Sequence, residues 1–287
     1  MKKRAYFIIL VLISIHIQAQ VNFETSLTKA FEKAKVEKKI VFVEYYNSEC
    51  TVCKELSKLL ASDSVVANYY NKYFVNYKLD TKGDLEGNLK EDEKNLMDKS
   101  KLTFDHVPVL LFFDYYGNFL HHSGVRVTSE VVLNIGISAR NLDYRSTNNI
   151  KKYNEGDRTI RTLYAYSDLL VATNNESLLK KVTNDLYEVY SKDASKMTSN
   201  SSYVILKNVV NSTEDGFFIY WINNLDTITN SDQGYEKEQI QSALEKILLK
   251  ELSNPERKNW NIKKKNLFKD YILKLKITDN PDGYFED

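Results

Sequence analysis

Two cysteines separated by two residues are the strongest chemical signal in the chain, in the motif Cys50-Thr51-Val52-Cys53. Residues 40–46 before the motif are β-branched and aromatic, and apolar residues at helical spacing follow it, so we expect the motif to open a helix. A thiolate on Cys50 would then face unpaired backbone N–H groups and the positive end of the helix dipole. Both effects favour the nucleophilic form of a thiol. The pattern therefore predicts Cys50 as the attacking thiol and Cys53, deeper in the helix, as the resolving thiol of disulfide exchange.

Two other uses of the cysteine pair stay open. A purely structural Cys50–Cys53 disulfide would close a loop of only four residues, which stabilises a fold by about 2 kcal/mol in the chain-entropy treatment. Metal binding through two thiols is the least favoured use, because two cysteines and four histidines in 287 residues hardly supply the four ligands of a structural zinc site. We predict no metal and no cofactor.

The segments around the motif alternate between helix and strand patterns. Helices are predicted over 23–38, 50–61, 89–101 and 129–142, and strands over 40–46, 73–79, 109–114 and 119–122. The strand at 40–46 has no polar face, which predicts burial on both sides. Strands separated by helices predict parallel pairing with right-handed crossovers, and the last two strands form an antiparallel hairpin at the edge.

Residues 24–140 resemble the thioredoxin-like proteins, in particular the secreted bacterial type with a C-terminal helical extension. The resemblance rests on the Cys50-Thr51-Val52-Cys53 motif after strand 40–46, on Val107-Pro108 before strand 109–114, and on Gly117-Asn118 at the hairpin turn. It implies an α/β fold with a thioredoxin-like mixed sheet flanked by helices, followed here by an all-α C-terminal region.

The resemblance also implies roles for three further residues. Pro108 is expected to follow a cis peptide bond and to lie beside the cysteines. The backbone of Val107 would pair with an extended substrate segment, as in edge-strand recognition. Glu44, inside strand 40–46, matches a buried acid that exchanges a proton with the second cysteine. A carboxylate among apolar neighbours needs a partner or a raised pKa, which suits a general acid or base.

Glu49 departs from the family pattern. Many members carry a tryptophan before the first cysteine, whereas Glu49 places an acid there. A negative neighbour disfavours a thiolate on Cys50. The direction of the reaction, whether reduction, oxidation or isomerisation, stays open at this point.

The two ends of the chain differ from its centre. Residues 1–19 have a basic start, an apolar stretch and a small residue, Ala19, in the order of a cleavable signal peptide. We predict a thioredoxin-like domain over 20–142 and a helical domain over 143–287, where apolar residues recur at helical spacing and Asn254-Pro255 opens a last helix. No second apolar run is long enough to span a membrane, so the mature chain is predicted to have no membrane span.

Composition excludes one class of partner. The chain has 40 Lys and Arg against 39 Asp and Glu, which gives no excess of positive charge for a general hold on nucleic acid. We therefore predict a periplasmic or secreted thiol–disulfide oxidoreductase that acts on protein thiols and disulfides, with a possible redox partner protein. The alternative is a non-catalytic thioredoxin-like binding or scaffold module with a structural disulfide.

Overall fold

The computed structural model describes residues 20–82, 89–104, 106–228 and 234–285. The predicted signal peptide at 1–19 lies outside the described residues. The chain divides into two compact units, one from the described parts of 1–100 and 105–145 and the other from 101–104 and the described part of 146–287. Within the described ranges, no helix combines the length and the apolar character needed to cross a membrane.

The first unit confirms the predicted mixed sheet with flanking helices. Its elements are α1 (Leu27–Glu37), β1 (Ile40–Tyr46), α2 (Thr51–Ser62), α3 (Ser64–Tyr73), β2 (Phe74–Asp80), α4 (Glu91–Ser100), β3 (Val109–Phe113), β4 (Phe119–Gly124) and α5 (Ser129–Arg140). In the described residues these strands form one sheet in the order β2-β1-β3-β4.

The direction of β3 corrects the sequence prediction. β1 and β2 are parallel, as predicted, but β3 runs antiparallel to β1. Asp80 at the end of β2 pairs with Tyr46, and Val109 at the start of β3 pairs with Tyr45. The connection that contains α4 therefore starts and finishes beside the C-terminal end of β1. Because β3 begins at that end, it must run antiparallel to β1 and β2.

Strand β1 is buried on both faces, as its unbroken apolar run predicts. On one face its Phe42 packs edge-on against Tyr70 of α3 and against Phe112 of β3. Leu56 of α2 and Val132 of α5 belong to the same core. The strand that precedes the cysteine motif is therefore enclosed by the core along its central residues.

Two helix predictions in this unit need correction. Helix α1 begins at Leu27 rather than near Phe23, because the Ser26 side chain caps it by accepting a hydrogen bond from the Lys29 backbone N–H. Phe23 instead forms a parallel bridge with Asn76 beside β2. Helix α3 was not predicted at all.

The second unit confirms the predicted all-α region. Its helices are α6 (Ser146–Asn154), α7 (Ile160–Ala172), α8 (Glu176–Tyr190), α9 (Ala194–Met197), α10 (Asn200–Asn208), α11 (Gly216–Asn224), α12 (Lys237–Leu252) and α13 (Ile262–Lys274). Asn254 caps only the short 3-10 turn Pro255–Asn259, and Asn261 caps α13, so the last long helix begins later than predicted.

Candidate active site

Cys50 is the N-cap residue of α2. Its backbone is extended, with φ −70° and ψ 127°, and its Sγ accepts a hydrogen bond from the backbone N–H of Cys53 at 3.2 Å. The turn that leads from β1 into the helix is held by Asn47, whose carbonyl accepts from the Cys50 N–H at 3.1 Å and whose side chain accepts from the Glu49 N–H at 2.8 Å. The first sulfur is thus half-buried at a helix start, where N–H groups stabilise negative charge.

Cys53 lies one turn into α2 and is only 1% exposed. Burial is the main cause that raises the pKa of its thiol to about 12; the nearby Cys50 and Glu44 act in the same direction, and a backbone hydrogen bond from Asn47 opposes them. At neutral pH this sulfur is therefore a thiol, and it becomes a nucleophile only if another group takes its proton. The two cysteines are unbridged in the structure.

The loop before β3 lies beside the first cysteine. The Val107–Pro108 peptide bond is cis, as the sequence resemblance implies. The Cys50 thiol donates to the carbonyl oxygen of Val107 at 3.8 Å, and Pro108 is buried. Val109 then pairs with Tyr45 of β1, which joins this loop to the strand that carries Glu44.

Glu44 is completely buried in the middle of β1. Its Oε1 accepts a hydrogen bond from the Ser57 hydroxyl at 3.3 Å, and its Oε2 lies 3.1 Å from the Lys78 ammonium. Among the described residues, Oε2 accepts no hydrogen bond of good geometry, so the Lys78 charge alone balances it. Burial raises the pKa of Glu44, while Lys78 and Ser57 oppose that rise.

The structure therefore brings together the residues that the sequence selected. Cys50, Cys53 and Val107 meet at the start of α2, and Glu44 exerts its charge on the Cys53 thiol. Pro108 joins this group through the adjacent cis peptide bond.

Two neighbours of Glu44 were missed in the sequence. Lys78 occupies the position of β2 that pairs with Glu44 in the parallel register, and its side chain is 30% exposed. Ser57 follows Cys53 by four residues on α2, which places both on one helix face. Two sequence signals could have identified them. One is a polar residue four positions after Cys53, and the other is a lysine within the second strand.

The acid beside Cys50 is paired. The Glu49 carboxylate lies 2.6 Å from the Lys82 ammonium, and both side chains are exposed. This contact lowers the pKa of Glu49. The negative charge predicted to disfavour a Cys50 thiolate is thus accompanied by a positive one.

The described residues contain no cluster of three or more His, Cys, Asp or Glu side chains arranged to hold a metal ion. The groups gathered at this site are two thiols, the buried Glu44 carboxylate with its Lys78 and Ser57 partners, and the backbone of the loop before β3.

A cysteine pair at a helix start beside a cis-proline loop on a mixed sheet defines a thioredoxin-like domain, and residues 22–114 match the family model described as thioredoxin-like. The first unit of the chain is thus thioredoxin-like.

Two solved structures are similar to part of this chain. One is the solution structure of a candidate disulphide-isomerase from Bacteroides thetaiotaomicron, with 29% identity over 43% of this chain and 98% of that one, at a TM-score of 0.34. The other is the DsbH oxidoreductase, with 19% identity over 39% of this chain and 78% of that one, at a TM-score of 0.30. No curated protein is significantly similar to the chain.

Proposed function

We propose that this protein is a thiol–disulfide oxidoreductase that acts on protein thiols and disulfides outside the cytoplasm. The observation that carries the proposal is the asymmetry of the cysteine pair. Cys50 is half-buried at the helix start, and its Sγ accepts a hydrogen bond from the Cys53 N–H. Cys53 is enclosed, and the pKa of its thiol is raised. Such an asymmetry gives one sulfur the role of nucleophile and the other the role of resolving thiol.

The exchange takes two steps. The Cys50 thiolate attacks one sulfur of a substrate disulfide, so that the substrate S–S bond breaks, a Cys50–substrate bond forms and the other substrate sulfur leaves as a thiolate. Cys53 then loses its proton and attacks the Cys50 sulfur, which releases the second substrate thiolate and leaves a Cys50–Cys53 disulfide. The substrate gains two electrons and the protein loses two. The reverse sequence transfers the disulfide to a substrate dithiol.

Glu44 is the base that takes the Cys53 proton. Its charge influences that thiol, and its raised pKa brings the carboxylate closer to the working pH of a general base. Val107 and Pro108 form the substrate-binding edge, because the Val107 carbonyl lies 3.8 Å from the attacking sulfur, where an extended segment bound at that sulfur would run beside this backbone.

Residues 1–19 have the order of a signal peptide, which supports export and a periplasmic or secreted location. Protein thiols and disulfides are then the substrates, and a dithiol or disulfide partner protein restores the starting state of the cysteines after each turnover.

Single-cysteine variants expressed in the native cell envelope test the proposal. Cys53→Ser keeps the nucleophile but cannot resolve the mixed disulfide, so it should accumulate disulfide-linked adducts through Cys50. Cys50→Ser should accumulate none. Adducts are separated on a non-reducing gel and identified by mass, and the same spectra show whether residues 1–19 are still attached.

The double variant Cys50→Ser with Cys53→Ser is the matched control for background adducts. Equal trapping by both single variants, or by neither, would contradict the assignment and favour a binding module with a static disulfide. If the protein in the envelope fraction has the mass of the uncleaved chain, the prediction that residues 1–19 are removed is wrong.

A further inference from the structure

Ser57 connects the two charged groups beneath the cysteine motif. The Lys78 ammonium donates a hydrogen bond to Ser57 Oγ at 3.0 Å, and the Ser57 hydroxyl donates to Glu44 Oε1 at 3.3 Å. The Lys78 ammonium also lies 3.1 Å from Glu44 Oε2. Carboxylate, hydroxyl and ammonium therefore form a closed triangle in which each group contacts the other two.

The helix explains why Ser57 can make this contact. Ser57 and Cys53 are four residues apart on α2, so their side chains project from the same helix face. The half-buried hydroxyl thus lies one turn beyond the thiol, on the side of the helix that covers β1. This hydrogen bond ties the position of the Glu44 carboxylate to the helix that carries Cys53.

We propose that Ser57 is a positioning residue for the resolving step, because its hydroxyl holds the Glu44 carboxylate in the orientation and charge state needed to accept the Cys53 proton. The inference rests on the proposed oxidoreductase function and adds a residue that the sequence resemblance does not assign.

Ser57 matters because the Glu44 carboxylate has few hydrogen-bond donors around it. A buried carboxylate has room for several hydrogen bonds, yet within the described residues the Ser57 hydroxyl is the one hydrogen-bond donor to Oε1, and Oε2 faces the Lys78 ammonium without a hydrogen bond of good geometry. Donation from the Lys78 ammonium to Oγ polarises the hydroxyl and strengthens its donation to Glu44. Removal of the hydroxyl therefore leaves the carboxylate with the Lys78 charge alone.

The other groups around Glu44 do not replace this donor. Lys78 contributes the positive charge from β2, and Cys53 contributes a thiol from α2. Tyr46 on the same strand interacts with Glu44 through its charge, and the facing residue of β3 is the apolar Leu110. Loss of the hydroxyl therefore raises the pKa of Glu44 further, since the Ser57 contact acts to lower it.

The reduced full-length chain can be tested with Ellman's reagent, an aromatic disulfide whose released thiolate is coloured. Attack by Cys50 releases one aromatic thiolate, and attack by Cys53 on the mixed disulfide releases the second. Ser57→Ala should leave the first phase unchanged, slow the second roughly fivefold at neutral pH and move its pH midpoint upward. Ser57→Thr, which keeps the hydroxyl, should restore both the rate and the midpoint.

Ser62→Ala is the matched control, because its hydroxyl lies on the same helix but donates only to the Lys58 carbonyl. An unchanged second phase in Ser57→Ala, equal slowing of both phases, or failure of Ser57→Thr to restore the rate would overturn the inference.

If the wild-type chain shows no second phase, the proposed function itself fails. The Ser57 contact is then measured through the infrared carboxyl band that Glu44→Gln removes. The pH midpoint of that band must rise in Ser57→Ala, and an unchanged midpoint overturns the inference independently of activity.

Discussion

Glu44 combines complete burial with a charge that, in the part of the chain the structure describes, the Lys78 ammonium alone balances. Its neighbours along β1 are Val43 and Tyr45, both buried, so the strand offers it no solvent. Such a group destabilises the fold when it is ionised, because burial disfavours the charged form. The residue best placed to serve Cys53 is thus expected to lower the stability of the domain at neutral pH.

The pH dependence of stability tests this expectation. Since the folded pKa of Glu44 is raised above its ordinary value of 4.5, the folded state keeps this proton over a pH range in which the unfolded state has lost it. The free energy of unfolding therefore falls as pH rises through that range. We expect Glu44→Gln to gain stability relative to wild type from about pH 4.5 up to the folded pKa of Glu44, as measured by urea unfolding of the reduced proteins.

Glu49→Gln is the control for this series. Glu49 is exposed, and its contact with Lys82 lowers its pKa, so any effect of its removal has the opposite sign. If the free energy of unfolding changes with pH in the same way for wild type and Glu44→Gln, the burial of Glu44 has no energetic consequence.

At the scale of elements, Asp63 joins three helices of the first unit. It ends α2, and its Oδ1 accepts hydrogen bonds from the N–H groups of Val65 and Val66 at the start of α3. Its Oδ2 accepts from the hydroxyl of Ser129 at the start of α5. These contacts hold the pKa of Asp63 below its usual value.

Asp63→Ala removes all of these acceptors, and the loss of an N-cap costs about 1 kcal/mol. Asp63→Asn keeps an acceptor for the α3 N–H groups and should lose less. Because the folded pKa of Asp63 is lowered, its contribution is present above the ordinary Asp pKa and disappears as pH falls through the folded pKa.

Urea unfolding of the two variants at neutral and at acidic pH measures this difference. Equal losses of unfolding free energy in Asp63→Ala and Asp63→Asn would contradict the capping role. A difference in unfolding free energy from wild type that persists at acidic pH would contradict the role of the charge.

At the scale of the molecule, each unit has its own core, and the chain enters the second unit twice. Residues 101–104 belong to the helical unit although residues on both sides of them belong to the first. The Thr103 N–H donates to the Ala172 carbonyl at the end of α7 at 2.6 Å, and Leu102 is buried. The segment that leads towards Pro108 is thus anchored within the second unit.

Both tryptophans, Trp221 and Trp260, lie in the second unit, so their fluorescence reports its unfolding selectively. At Gly216 a Cβ atom would lie 2.5 Å from the Cγ and Cδ1 atoms of Tyr187, and Cγ is the ring atom nearest the Tyr187 backbone, so the contact is not with the far end of a flexible side chain. Gly216→Ala should therefore reduce the stability of this unit by about 1–3 kcal/mol.

Gly283→Ala is the matched control, because an added Cβ there meets nothing within 4 Å. Tryptophan fluorescence during urea unfolding compares the two variants. A Gly216→Ala transition that coincides with that of Gly283→Ala would contradict the predicted overlap.

Much of the first unit could be predicted because its signals are local. An unbroken apolar run predicts a strand buried on both faces, and Cys50 followed three residues later by Cys53 predicts an N-cap and an enclosed thiol in the first turn. The Val107-Pro108 pair and the apolar periodicity of the C-terminal half are equally local patterns.

Helix α3 was missed because its local signals conflict. It is rich in valine and tyrosine, which favour strands, and apart from the Asp63 cap it is the burial of Val66, Ala67 and Tyr70 in the core that compensates for the weak helix propensity. Burial of this kind depends on residues distant in the sequence, so no local window contains it.

By itself the sequence determined where the two thiols lie and which elements present them, since spacing and periodicity act within a few residues. Only the tertiary structure decided the antiparallel direction of β3, the anchoring of residues 101–104 and the triangle of Glu44, Ser57 and Lys78. Lys78 meets Glu44 because the register of two strands places them side by side, and Ser57 meets both because α2 packs over that pair. Strand register and helix packing are set by the burial of the whole core, and they therefore lie beyond any pattern of neighbouring residues.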